Sequence, residues 1–291
     1  MSAEQPARDA AADRRAALAG LDCLPGVAKP DPILVVDNVR RAFGGLVAVD
    51  VAHLEVQRGT ITALIGPNGA GKTTFFNLLT GFDRPSSGNW VFDGRRLARK
   101  PAYVVAREGM VRTFQLTKAL ARLTCLENLK LAGVGQRGER LLGGLLPPLW
   151  RAQEREIEQR ADELLERFRL TKWRDEFAGT LSGGQRKLLE MARALMVSPS
   201  MIMLDEPMAG VNPALTQSLL GHVTQLRDDG MTVVFVEHDM DVVMGISDWV
   251  VCMAAGKTIA EGPPQSMSAN EAVIDAYLGR KHGSAPAEEA G

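Results

Sequence analysis

The chain has 291 residues, 45% hydrophobic and 24% charged, enough apolar material for one large domain or a domain with a subdomain. Its 34 Lys and Arg balance 35 Asp and Glu for a formal net charge of -1, so no global field draws it to nucleic acid or anionic lipid. Cys23, Cys125 and Cys252 are isolated and odd in number, which excludes a zinc framework or paired disulfides and fits thiols in a reducing cytosol.

Residues 1–32 are rich in Ala, Arg, Asp and Pro and carry charges throughout, with no continuous apolar run of the secretory kind. Residues 11–21 suit a helix, "KPDP" then breaks the chain, and the whole segment is expected to be a mobile extension. The ordered domain is expected over 33–262. It begins with two strands, "ILVV" and "VAVDVAHLEV", followed by the short β-branched run "TITALIG" that ends at a glycine-rich loop. A helix, "KTTFFNLLTG", closes at Gly81, and "NWVFDG" reads as strand and turn. From about 117 to 195 the texture becomes helical and charged, as in an inserted subdomain. Ile157, Ala161, Leu164, Leu165 and Phe168 keep one face of its long helix apolar. Within it, "LLGGLLPPLW" either packs internally or docks a membrane partner. Strand–helix alternation then returns with "MIMLDEP", "ALTQSLLGHVTQLRDDG" and "TVVFVEH", and "WVVCMAAGKTIAEG" reads as a hairpin. Buried strands alternating with helices predict an α/β fold with a parallel sheet. Residues 263–291 are expected to form a C-terminal helix and a disordered tail ending in "GSAPAEEAG". No stretch approaches the roughly 18 apolar residues that span a bilayer, so work at a membrane would go through a partner.

The run Gly66, Pro67, Asn68, Gly69, Ala70, Gly71, Lys72, Thr73, Thr74 matches a phosphate-binding P-loop at every fixed position, between an apolar strand and a helix. Its glycines let successive backbone N–H groups face a phosphate, and the helix start adds partial positive charge. Lys72 can reach the β- and γ-phosphates, and Thr73 can hold Mg²⁺. The strand of "MIMLDEP" supplies an acid at its C-terminal end, where ligands of α/β sheets bind. Asp205 there suits Mg²⁺ through a water, and Glu206 suits orientation or deprotonation of a water attacking the γ-phosphorus. An Asp-Glu pair at a strand end is also a common solvated turn. His238 ends the next buried strand, on the same sheet edge, either as a structural residue or within reach of a γ-phosphate. Gln115 could touch Mg²⁺ or the attacking water, although spacing alone does not distinguish it from a surface glutamine.

A second helix start, "LSGGQ" at 181–185, also looks made for an anion. Ser182 and Gln185 form a capping-box pattern, which accounts for those two residues but not for Gly183 and Gly184. Two glycines raise the cost of ordering a helix start and make sense where something approaches the backbone closely. One nucleotide is not easily wrapped by both helix starts of a single chain. A twofold dimer would let each chain offer its P-loop to one nucleotide and "SGGQ" to the other.

Gly66–Thr74, Gln115, "LSGGQ", "MIMLDEP" and His238, in this order, resemble the nucleotide-binding subunit of ABC transporters, over roughly 33–279. The resemblance implies a P-loop NTPase (RecA-like) core with a β-rich N-terminal subdomain and an inserted α-helical one. It also implies ATP and Mg²⁺ as cofactors, a head-to-tail ATP sandwich, Gln115 as the Q-loop coupling residue, and His238 as the switch histidine. Phe43 sits where the family stacks an aromatic on adenine, with a core phenylalanine as the alternative. "FGGLVAV", "LTGFDRPSSG", "VRTFQLTKALARLT" and "EAVIDAYLG" are similar to the ATPase subunits of branched-chain amino-acid importers. That similarity implies a second, related ATPase subunit, two permease subunits, indirectly a solute-binding protein, no nucleic acid, and a peripheral place on the cytoplasmic face of the membrane. Asn212 stands where most of the family has Asp, which puts that residue's contact across the dimer in doubt. An ATPase of a lipid or lipopolysaccharide exporter, and a soluble ABC ATPase acting outside transport, are the rival readings.

Overall fold

A computed structural model describes residues 12–113, 120–133 and 147–278, without the side chains of 147–151 and 214. Gln115, residues 141–146 of the "LLGGLLPPLW" patch and the C-terminal tail lie outside the described residues, and the rest of the patch, 147–150, is described in its backbone alone. The elements in chain order are β1 (Pro32–Phe43), β2 (Leu46–Gln57), β3 (Ile61–Ile65), α1 (Lys72–Leu79), β4 (Ser87–Phe92), β5 (Arg95–Arg96), α2 (Ala102–Arg107) and β6 (Met110–Arg112). Next come α3 (Cys125–Leu131), α4 (Pro147–Arg167), α5 (Gly183–Leu195), β7 (Met201–Asp205), α6 (Pro213–Asp228) and β8 (Thr232–Val236). The chain continues with α7 (Met240–Ile246), β9 (Trp249–Ala254), β10 (Lys257–Gly262), α8 (Pro264–Met267) and α9 (Glu271–Leu278). It divides into two compact units, one made of 1–105 with 224–291 and the other of 106–223.

The first unit holds two sheets. Strands β2, β1, β4 and β5 form an antiparallel sheet in that order. In the second, β3 lies between β8 and β9 and runs parallel to both, and β10 closes the edge as a hairpin on β9. All five residues of β3 and of β8 are buried, as expected for strands covered on both faces. The expected turns are present. Asp93 and Gly94 take φ values of 46° and 75° between β4 and β5, and Ala255 and Gly256 take 47° and 81° between β9 and β10. Helix α1 ends in a Schellman motif: Gly81, at φ 76°, donates from its N–H to the Leu78 carbonyl, and Phe82 donates to Asn77.

The segment read as a mobile extension differs from that expectation over its described part. Residues 12–16 form a helical turn, Leu18 is buried, and Arg14 and Arg15 lie within ion-pair distance of Asp31 and Asp228. The deeper anchor is Glu261 on β10, whose carboxylate is fully buried. One oxygen accepts the backbone N–H groups of Gly26 and Val27, and the other accepts Lys29 Nζ at 3.1 Å and the Trp249 indole N–H at 2.9 Å. The Lys29 ammonium also lies 4.4 Å from the Trp249 ring centroid, and the Lys29 N–H donates to Glu55 at 2.6 Å. Burial lowers the Lys29 pKa, and the Glu261 charge opposes that shift. Composition alone marked this stretch as loose. A buried carboxylate on a strand more than two hundred residues downstream is what orders it.

The second unit is helical apart from the parallel pair β6–β7. It begins before the expected subdomain and runs past it, so that it includes both strands and most of α6. Ala161, Leu164, Leu165 and Phe168 are buried as the period requires, and Ile157 is partly covered. The flank of α4 beside that stripe carries Glu158 and Asp162, both bonded to Arg174. Helix α3 starts with a complete capping box between Thr124 and Glu127. Cys125 and Cys252 are buried and Cys23 is exposed; burial pushes the two inner thiols up to about 11 and about 12, so they serve as packing groups. Among the described residues no helix is long and apolar enough to cross a membrane.

Because Glu261 is charged, buried and met by four donors, removing its cation leaves an uncompensated carboxylate. Lys29→Met is expected to cost about 3 kcal/mol, read as a lower urea midpoint; an unchanged midpoint would show that Lys29 does not anchor the segment.

Candidate nucleotide site

In the first unit, β3 delivers the chain into the loop and α1 takes it out. Gly66, Gly69 and Gly71 adopt φ of 141°, 80° and 98°, a region that L side chains rarely occupy. Two of them also have no room for a side chain. A Cβ on Gly66 would lie 2.0 Å from the Met253 carbonyl oxygen, and one on Gly71 would lie 2.3 Å from that of Ala48. The loop is tied down by the Ala70 N–H donating to Pro67 and by the Gly256 N–H donating to Ala70. Gly71 serves as the N-cap of α1 and, having no side chain, provides no side-chain cap. Lys72 Nζ folds back onto the carbonyls of Gly66, at 2.5 Å, and Pro67, at 3.0 Å. Asn68, Gly69 and Thr73 are exposed, and Pro67 and Thr74 are half-buried.

Phe43 ends β1 at the tip of the β1–β2 hairpin and is 48% exposed, which removes the core alternative for it. One face of its ring carries the Arg41 guanidinium at 4.3 Å, itself fixed by Asp83 at 2.8 Å. His238 follows β8 with its side chain 67% exposed, and its Nδ1 lies 3.8 Å from the buried Glu237 carboxylate. The next residue, Asp239, caps α7 through the N–H groups of Asp241 and Val242.

The second unit carries the acids and the "SGGQ" helix start. Asp205 ends β7 with its carboxylate bonded to Arg112 Nη2 at 2.5 Å, both side chains largely covered. Arg112 was missed in the sequence. It sits at the end of β6, and only the parallel register of that strand with β7 brings it there. Glu206 has φ 46°, the left-handed region for a residue with a Cβ, and its carbonyl accepts Lys187 Nζ at 2.9 Å. A strained backbone at a candidate catalytic carboxylate is held by its surroundings.

The capping box at α5 is real: Ser182 Oγ accepts the Gln185 N–H at 3.3 Å, and Gln185 Oε1 accepts the Ser182 N–H at 2.9 Å. The two glycines then part company. Gly184 is buried, and a Cβ there would lie 1.6 Å from Leu215 Cδ2, so packing within this chain accounts for it. Gly183 is exposed, and a Cβ there would meet nothing within 4 Å, so nothing in this chain explains it. Asn212 Oδ1 accepts the Leu215 N–H at 3.0 Å and caps α6, a task that needs no charge. Thr73 and Asp205 offer hard oxygen donors of the kind Mg²⁺ takes.

A model of the ABC transporter family matches residues 49–209, and one of the branched-chain amino acid ATP-binding cassette transporter matches 257–283. The chain is 43% identical over 250 residues to the high-affinity branched-chain amino acid transport ATP-binding protein BraF of Pseudomonas aeruginosa, covering 85% of this chain and 98% of that protein. It is 41% identical over 247 residues to a probable branched-chain amino acid transport ATP-binding protein LivG of Archaeoglobus fulgidus, covering 85% and 95%. Among solved structures, the ADP conformation of an ATP-binding cassette of an ABC transporter is similar with a TM-score of 0.75 and 38% identity, covering 85% of this chain and 99% of that one. A nucleotide-free cassette gives the same TM-score at 37% identity.

The unequal surroundings of the two glycines give a test. Gly183→Ala is expected to leave the urea midpoint unchanged or slightly raised, because alanine favours a helix start over glycine and touches nothing. Ser182→Ala is expected to cost about 1 kcal/mol through loss of the cap. A large destabilisation by Gly183→Ala would mean that Gly183, like Gly184, serves this chain's own packing.

Proposed function

The chain belongs to the ABC transporter family and is an ATPase of the P-loop NTPase fold, and from that premise we propose that it drives an importer for branched-chain or related amino acids. The observation that carries the cargo assignment is the similarity, over 85% of this chain, to branched-chain amino acid transport ATP-binding proteins, joined to the match of the C-terminal segment. The subunit works as one half of a head-to-tail ATP sandwich with a second ATPase subunit, a paralogue in preference to an identical chain. It acts peripherally at the cytoplasmic membrane face on two permease subunits, and indirectly with a solute-binding protein.

Each residue then has a task. The amides of Gly69, Gly71, Lys72, Thr73 and Thr74 hold phosphate charge at the start of α1, beside the Ala70 N–H that ties the loop to Pro67. Lys72 exchanges the Gly66 and Pro67 carbonyls for β- and γ-phosphate oxygens, a charge-assisted contact in place of a neutral one. The hydroxyl of Thr73, the carboxylate of Asp205 and the amide of Gln115 would hold Mg²⁺, which neutralises charge on the phosphates. Glu206 orients and deprotonates the attacking water, His238 contacts the γ-phosphate, and Phe43 stacks on adenine. The helix start of Ser182, Gly183, Gly184 and Gln185 faces the nucleotide held by the partner subunit, with Ser182 and the Gly184 backbone closing on it. The exposure of Gly183, with nothing of its own chain near it, supports that assignment.

Lys72→Ala is expected to lose measurable ATP affinity, read by equilibrium binding; unchanged affinity would remove Lys72 from the phosphate site. Glu206→Gln is expected to keep ATP binding while turnover falls by about a hundredfold or more, and hydrolysis at the parent rate would remove Glu206 from catalysis. Deleting the gene should abolish high-affinity leucine uptake and its return should restore it, whereas normal uptake in the deletion strain would discard the cargo assignment.

A further inference from the structure

The first residue of the phosphate loop is held by the last described helix of the chain. The Gly66 N–H donates to the Tyr277 hydroxyl at 3.0 Å. On its other side, the Gly66 carbonyl accepts Lys72 Nζ. The Met253 carbonyl leaves no space for even one extra carbon at Gly66. Both polar groups of Gly66 are therefore committed, one of them to a side chain 211 residues away.

Helix α9 is built to place that hydroxyl. Asn270 Oδ1 accepts the N–H groups of Ala272, at 3.0 Å, and Val273, at 3.3 Å, and so fixes the helix start. Val273 is buried, and Tyr277 follows it by four residues on the same face. Ile274 and Leu278, one position further round, are exposed. Tyr277 is itself 41% exposed, so its position is not explained by burial of the ring alone. The hydroxyl is the part that meets the loop, and burial pushes its pKa up, which keeps the phenol neutral at pH 7.

We propose that Tyr277 is a positioning residue for the phosphate loop: by holding the Gly66 amide it makes the loop's affinity for ATP depend on the docking of α9. Preorganisation is the physical reason. A loop that must present a row of amides to phosphate binds more tightly when its entry peptide is already fixed. With the hydroxyl removed, the Gly66 N–H turns to water, the loop entry samples more conformations, and ordering it is charged against ATP binding. Lys72 gains its phosphate partners from the same loop, so a looser entry weakens that contact as well. Tyr277 touches no reacting atom, so the chemical step is unaffected.

This role rests on the loop being the ATP site, and the experiment separates the two. In purified full-length protein, Tyr277→Phe removes one oxygen and keeps the ring. It is expected to weaken equilibrium ATP binding and raise KM for ATP by about threefold to tenfold, with kcat retained and faster hydrogen exchange at the Gly66 amide. ATP affinity equal to the parent's overturns the role, and so does a loss of kcat with KM unchanged. Lys72→Ala is measured alongside. Parent-like affinity in that variant overturns the loop as the ATP site and Tyr277's role with it, whereas lost affinity there with parent-like Tyr277→Phe overturns Tyr277 alone.

Discussion

The phosphate loop depends on two glycines packed against backbone carbonyls where no side chain fits. Met253 and Ala48 approach Gly66 and Gly71 so closely that any side chain at either position would overlap them, and both glycines lie in a region of φ that favours residues without a Cβ. The strands supplying those carbonyls are β9, hydrogen-bonded to β3 in parallel register, and β2 of the antiparallel sheet. The loop that follows buried β3 is thus packed between these two strands at positions only glycine can occupy. Preorganised backbone of this kind suits a polyanion, whose charge is met by dipoles that need no rearrangement when it arrives.

In the structure, charged groups assigned to the chemistry already have internal partners. Lys72 rests on two loop carbonyls, and Asp205 rests on Arg112. A buried or half-buried charge without a partner costs several kcal/mol, so such groups persist in a stable fold only when something within the protein stands in for the ligand. In the proposed role, binding would exchange one set of partners for another, and for Lys72 that exchange is favoured because a phosphate oxygen carries charge and a carbonyl does not.

Much of this was legible in the sequence. The strands, the α/β class, the P-loop and the positions of Asp205, Glu206 and His238 at strand ends follow from apolar runs, turn residues and fixed spacing, all of which are local signals. The capping box at Ser182 and Gln185 was legible for the same reason. Contacts set by tertiary register were not legible. Arg112 meets Asp205 only through the β6–β7 pairing, and Tyr277 meets Gly66 across almost the whole chain. Gly184 looked like half of a surface for an external anion, yet Leu215, on the following helix, occupies the space beside it. Residues before β1 looked loose because composition does not reveal a buried carboxylate waiting on β10.

That carboxylate joins two ends of the molecule. Glu261 grips Gly26, Val27 and Lys29 on one side and Trp249 on the other, and Trp249 opens β9, the strand whose Met253 carbonyl shapes the phosphate loop. Trimming the protein to begin at β1, as its composition invites, would leave the buried Glu261 carboxylate without its Gly26, Val27 and Lys29 donors, in the hairpin whose Met253 carbonyl lies against Gly66. A minimal cassette cut from this chain should therefore start upstream of Gly26, so that the donors to Glu261 are kept.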